Sequence, residues 1–172
     1  MASPTLLEAS FHRTVVLLLQ HGPGGALGLV LNRASGMRVD EPLPAWAHLA
    51  TPPQVMFHGG PVGPSGVVCL AAGSDAGGAS HEFLFDEIGT LDLHQSSDDV
   101  VGVEAIRVYA GHAGWIPGQL EHEIEERGWI VVDRAPGDVF TTRPAELWAE
   151  VLARQPGIVA LLSNYPSDVN LN

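Results

Sequence analysis

Short apolar runs, separated by segments that contain glycine or proline, are the feature that most constrains the fold of this chain. "TVVLLL" (residues 14–19), "LGLVLN" (27–32), "GVVCLAA" (66–72) and "VEAIRVYAG" (103–111) are rich in β-branched residues and leucine. Runs of this length and composition predict buried strands. The first two flank the turn "QHGPGGA", which predicts a β-hairpin. With 20 glycines and 13 prolines among 172 residues, the elements are expected to be short.

Helical patterns are fewer and interrupt the strands irregularly. One helix is predicted over residues 117–127 and another over 144–155, with a short helical piece at 45–50. "WIVV" (129–132) reads as a further strand. The chain is therefore predicted to be α+β, and its length suits a single domain over residues 1–172.

Charge and residue usage exclude several classes of function. The net charge is −12, and all eight basic residues are arginines scattered along the chain, so direct nucleic-acid binding is not expected. The absence of lysine excludes lysine Schiff-base chemistry and a P-loop. The lone Cys69 excludes a disulfide within the chain and is expected to be a small buried strand residue. No apolar run is long enough to span a membrane, so a cytoplasmic protein without membrane contact is predicted.

The stretch "YAGHAGWIPGQLEHEIEERGWIVV" (109–132) carries the strongest candidate site. One candidate is a metal or acid–base cluster formed by His112, Glu121, His122 and Glu125. The segment "HEIEE", however, lacks the second histidine of the zinc motif H-E-x-x-H. A solvated acidic helix face is the favoured interpretation, and no metal or cofactor is predicted. Glu123 and Arg127 have the spacing of an i,i+4 ion pair.

Two glycine turns are the other candidate. Gly111 and Gly114 permit close backbone approach beside Trp115, the tryptophan expected to line a pocket. "HGGP" places Gly59, Gly60 and Pro61 after a strand, where free N–H groups would suit an oxyanion. Because both turns follow predicted strands, they are expected to lie close together.

Several of these motifs together resemble one family. "FHRTVVLLLQH", "GALGLVLNR", "FHGGPV" and "YAGHAGWIPGQLEHEI" have the order and spacing of the AlgH/YqgE family, small bacterial proteins of uncharacterised function. The resemblance implies mixed, mostly antiparallel sheets curled into a pseudo-barrel with a few short flanking helices. It implies no established enzyme activity, and the family name reflects a proposed role in regulating alginate synthesis. The family pattern falls on Asn32, Arg33, Gly59, Gly60, Pro61, Val62, Gly111, Gly114, Trp115, Gly118, Gln119, Leu120, Glu121 and Glu123.

The chain departs from that pattern at its start, where "MASP" resembles only the tail of the family's first strand. A shortened strand would leave a sheet edge exposed to a partner or a second copy.

Three hypotheses about function follow. The first is a non-enzymatic module that binds an unknown small molecule or protein and has an indirect regulatory role. Its predicted binding residues are Asn32, Gly59, Gly60, Pro61, Gly111, Gly114, Trp115, Gly118, Gln119 and Glu121. The second is a small-molecule hydrolase, metal-assisted or not, with the turn at residues 59–61 as oxyanion donor and His112 or Glu121 as general base. The third is an assembly role through the exposed edge.

Overall fold

The computed structural model describes residues 1–73, 81–85 and 87–165. The strands and helices are short, as the density of glycine and proline predicts. In chain order they are β1 (Val16–Gly22), β2 (Gly25–Val30), β3 (Ala34–Arg38), β4 (Val55–His58), β5 (Val62–Ala72), β6 (His81–Phe85), β7 (Ile88–Leu91), β8 (Ala105–Trp115), α1 (Gln119–Glu125), α2 (Leu147–Ala153) and α3 (Ile158–Leu161), with a 3-10 helix at Pro44–Leu49.

Strand β8 lies at the centre of a strongly curled sheet. Along one edge it pairs antiparallel with β5, from Val62 opposite His112 to Ala72 opposite Ala105. Its other edge is divided between β4, which runs parallel to it, and β2, which runs antiparallel. The hairpin partner β1 and the pair β7–β6 extend the sheet to its two ends. The result is a nearly closed, mostly antiparallel barrel with a few short helices, which confirms the predicted α+β pseudo-barrel.

Some elements differ from the sequence-based prediction. The β1–β2 hairpin is confirmed. The prediction of a strand at 129–132 is wrong, because there the regular pairing is confined to a single bridge between Trp129 and Ala2. The helix predicted from residue 117 begins only at Gln119, because Gly118 adopts a left-handed conformation with φ of 78°. Strand β3 was not predicted, since its sequence "ASGMR" is polar and mostly exposed.

Apolar side chains fill both sides of the sheet. On one side Phe57, Tyr109 and Leu29 pack against Trp148 of α2. On the other side Trp46 of the 3-10 helix covers Met56 and Ile106. Trp46, Trp129 and Trp148 are buried. Cys69 is buried as predicted, and burial raises the pKa of its thiol to about 12. Among the described residues, no helix is long and apolar enough to cross a membrane.

Candidate functional site

The two glycine turns touch each other through their backbones. A Cβ atom on Gly59 would lie 2.2 Å from the carbonyl oxygen of Gly111, and one on Gly60 would lie 2.2 Å from the carbonyl carbon of His112. The predicted proximity of the two glycine segments is therefore confirmed. The prediction that the second segment follows a strand is wrong, because β8 continues through Gly111 and Gly114 to Trp115. The Gly59 N–H donates to the Ala110 carbonyl at 2.8 Å, which removes it from the set of free oxyanion donors. Glycine is required here for strand packing.

Asn32 joins the ends of β1 and β2. Its Oδ1 accepts the Val15 N–H at 2.9 Å, and its Nδ2 donates to the Arg13 carbonyl at 2.9 Å. The neighbouring Arg33 donates to the His12 carbonyl at 2.5 Å. Both side chains thus bind the backbone that leads into β1.

Glu123 is the centre of the motif "GWIPGQLEHE". Its Oε2 accepts the indole N–H of Trp115 at 3.0 Å and that of Trp129 at 2.7 Å. Its Oε1 accepts the Gln119 side-chain amide at 2.8 Å. The predicted pairing with Arg127 is wrong, because the helix ends at Glu125 and Arg127 adopts a positive φ of 62°. Trp115 is only 6% exposed, so its indole belongs to a buried cluster with Trp129 and Phe11.

The two candidate bases have different neighbours. Glu121 accepts a hydrogen bond from His21 Nε2 at 2.6 Å, with both side chains half exposed. Its own backbone N–H and then His21 lower the pKa of this carboxyl below its ordinary value. His112 lies beside Val62 and Gly63 at the bend of β5. Within the described ranges, no three histidine, cysteine or acidic side chains cluster as a metal site would require.

The remaining motif residues lie at the surface of this corner. Pro61, Gly114 and Gly118 are exposed, and Gly114 faces the side chains of Val62 and His112. The Gln119 Oε1 accepts the Ile116 N–H at 3.1 Å, which closes the turn before α1. These residues shape the entry to the helix.

A cavity of about 300 Å³ lies beside the Trp115–Trp129 cluster, and both tryptophans contribute to its lining. Residues 15–18 at the start of β1 form one wall, and residues 129–134 form the other. We call this cavity the β1 groove. Leu31, Leu120, Ile124, Val139 and Val151 contribute to its apolar lining, and the ring of Trp115 reaches it from the core.

The groove combines apolar walls with one charged rim. Leu18 is 43% exposed and Val131 is 75% exposed, although each lies in an apolar run. At the rim Arg154 and Asp138 form a two-pronged ion pair, with Arg154 Nη1 2.7 Å from Asp138 Oδ1. No sequence pattern described above predicts this site. The one local signal is the apolar run "WIVV" (129–132), whose four consecutive apolar residues are typical of a segment that packs on both of its faces.

Known proteins of similar sequence match this chain over its whole length. A UPF0301 protein of Mycobacterium ulcerans is 43% identical over 177 residues, which cover 100% of this chain and 88% of the relative. A UPF0301 protein of Streptomyces coelicolor is 43% identical over 180 residues, covering 100% of this chain and 92% of the relative.

Two solved structures share the fold. A crystal structure of a Corynebacterium diphtheriae protein superposes with a TM-score of 0.89 at 29% identity, covering 96% of this chain and 89% of that one. The solution structure of the AlgH protein of Pseudomonas aeruginosa superposes with a TM-score of 0.68 at 28% identity, covering 98% of this chain and 92% of that one. The family model described as AlgH-like matches residues 1–160, and the chain therefore belongs to the AlgH-like family.

Proposed function

We propose that this chain is a non-enzymatic binding module with an indirect regulatory role in the cytoplasm, and that its ligand lies in the β1 groove. The observation that carries the proposal is the cavity of about 300 Å³ between residues 15–18 and 129–134, whose lining is mostly apolar and includes four charged residues, Asp133, Arg134, Asp138 and Arg154. Concave apolar sites with few polar groups are the usual form of a binding site.

Other features support binding over catalysis. The Gly59 N–H is bonded within the sheet and is not free to serve as an oxyanion donor, and the Glu121 carboxylate is held by His21. The net charge of −12 favours a neutral or basic ligand over a nucleic acid. The groove is favoured over the glycine segments as the binding site, because the backbone of Gly59 and Gly60 packs directly against that of Gly111 and His112.

The proposal is tested with the neutral dye Nile red and two matched variants. Leu18→Glu places a charge on the groove wall, whereas Leu7→Glu changes a side chain that is also exposed, at 61%, and lies outside the groove. We expect saturable dye fluorescence for the unchanged protein and for Leu7→Glu, and a loss of about tenfold or more in affinity for Leu18→Glu. Equal binding by all three proteins would refute a ligand site in the groove.

A further inference from the structure

One side of the sheet is covered over only part of its length. The 3-10 helix packs on this side through the side chain of Trp46, against a cluster that includes Met56, Cys69 and Val108. These three residues lie on β4, β5 and β8, and β8 pairs with both of the other strands. The covered part of this face therefore spans three strands.

The same face continues beyond the 3-10 helix. Side chains alternate along a strand, so the next positions on this face are His58, Val67 and Ala110. Ala110 is the register partner of both other residues, and it packs against the rim of the covered cluster. His58 is exposed and Val67 is 50% exposed, so the cover that the described residues provide ends here.

Three further residues extend the uncovered part of this face. Val62 of β5 lies opposite His112 of β8 and is 44% exposed. A Cβ atom on Gly114 would meet Val62 and His112, each at 3.9 Å, and nothing else within 4 Å. We call this surface the open face, and its six residues are His58, Val62, Val67, Ala110, His112 and Gly114.

The open face is separate from the β1 groove. None of its six residues lines the groove. Along β8, Ala110, His112 and Gly114 alternate with buried residues whose side chains belong to the opposite face. Met1 packs in the cluster on that opposite side of the sheet. The availability of the open face therefore does not depend on the groove.

The open face carries no charged side chain, although the net charge of the chain is −12 with histidine neutral. Residues 42–74 and 108–120 supply all six residues and contain no aspartate, glutamate, lysine or arginine. A basic partner would be attracted to the carboxylates, which lie elsewhere. In a two-fold contact a patch meets its own copy, so a charged patch repels itself and a neutral patch does not. Neutrality therefore favours a second copy of this chain as the partner.

The side chains of the open face also suit a contact with an identical surface. Val62 and Val67 project from β5, whereas Ala110 and Gly114 on the neighbouring β8 carry at most a methyl group. In a two-fold arrangement the valines of one copy can lie on the small residues of the other. Contiguous exposed apolar residues, unlike scattered ones, are typical of such interfaces.

We propose that the open face is the interface of a homodimer with two-fold symmetry. Six residues are fewer than the roughly 20–30 that each partner contributes to a stable interface, so the dimer is a reversible one with a Kd on the order of 10 µM. This inference goes beyond the proposed function, because the dimer uses a different surface from the ligand of the β1 groove.

Sedimentation equilibrium of the whole chain, from about 1 to 200 µM, tests the proposal. We expect the average mass to rise with concentration from 18.2 kDa towards twice that value. Because the interface is neutral and both copies are acidic, we expect about 0.5 M NaCl to screen their repulsion and to strengthen the association. A monomer at every concentration would overturn the proposal. An association that salt weakens would overturn it too, since opposite charges would then carry the contact.

Two valine substitutions compare the open face with another exposed site. Val67→Glu places a carboxylate in the interface, whereas Val101→Glu makes the same change at a residue that is 75% exposed and precedes β8. We expect Val67→Glu to raise the Kd of the dimer about tenfold or more and Val101→Glu to leave it within about twofold. If thermal unfolding shows that Val67→Glu does not fold, Val62→Glu replaces it. Equal Kd values for the open-face variant and Val101→Glu would overturn the open face as the interface.

Discussion

Glu123 shows how one carboxylate can organise a sequence motif. It accepts two indole N–H groups and one amide, and it thereby holds Trp115 and Trp129 with ring centroids 5.7 Å apart. A carboxylate is suited to this position because it accepts several hydrogen bonds at once. The tryptophan, glutamine and glutamate of the motif therefore form one hydrogen-bonded unit, and this unit holds two tryptophans that line the β1 groove.

Replacing this carboxylate should be costly. For Glu123→Ala we expect the free energy of unfolding to fall by about 2–4 kcal/mol, because two largely buried indole donors lose their acceptor. Urea denaturation followed by tryptophan fluorescence measures the change. The control is Glu125→Ala on the exposed face of α1, expected within about 0.5 kcal/mol of the unchanged protein. Equal stability of the two variants would show that the hydrogen bonds of Glu123 contribute little.

At the scale of elements, the contact between the turn after β4 and the bend of β8 sets the curl of the sheet. Gly59 lies between the two, where the Gly111 carbonyl comes closer than any side chain would permit. The parallel pairing of β4 with β8 at Tyr109 depends on this approach. A substitution here separates two strands, whereas most glycine substitutions affect only a local turn.

The Gly59→Ala variant tests this contact. We expect it to lower the free energy of unfolding by about 3 kcal/mol, because the new methyl group can fit only if β4 moves away from β8. Gly36→Ala in β3 is the control, since a Cβ there meets nothing within 4 Å. Chemical denaturation of both variants gives the comparison. A Gly59→Ala protein as stable as the Gly36→Ala control would mean that the sheet relaxes without cost.

Sequence patterns identify elements whose stabilisation is local and miss those whose partners are distant. The β1–β2 hairpin follows from two apolar runs and a glycine turn. The contact between Gly59 and Gly111 was expected from two strand ends, but Gly111 lies within β8, where the missing side chain admits the neighbouring backbone. The segment at 129–132 is apolar enough for a strand, yet the sequence does not show that its partners are residues 1–3. Glu123 has helix-face spacing to Arg127, but tertiary contact gives it two tryptophans. The groove lies between segments more than one hundred residues apart, so the apolar run "WIVV" can indicate one wall but not the wall that faces it.

At the scale of the whole molecule, Arg107 ties two distant segments, at Pro52 and at residues 139–141, to the central strand. Its guanidinium is 2% exposed and donates to the carbonyls of Pro52, Val139 and Thr141 at 2.8–3.0 Å. It also lies 4.5 Å from the ring centroid of Phe57. Burial lowers the pKa of this arginine, and the carbonyl oxygens replace part of the water that it has lost, since the buried Nε has no hydrogen-bond partner.

An Arg107→Lys variant should therefore unfold more easily. An ammonium group cannot reach carbonyls on both sides as the planar guanidinium does, so we expect a loss of about 2–4 kcal/mol in the free energy of unfolding. The matched control is Arg38→Lys, whose side chain is 59% exposed, and we expect this variant to be as stable as the unchanged protein. Thermal and urea denaturation of the two variants are compared. Similar values would indicate that the buried arginine is replaceable by any cation.

The position of β8 has a consequence for synthesis on the ribosome. Strands β2, β4 and β5 all pair with β8, which comes late in the chain. Most strands of the sheet therefore leave the ribosome before β8, the strand that joins them. Until then three sheet edges are open to other chains. Translation products that stop before residue 105 should therefore aggregate or be degraded, and the cell's demand for chaperones should end abruptly once β8 has emerged.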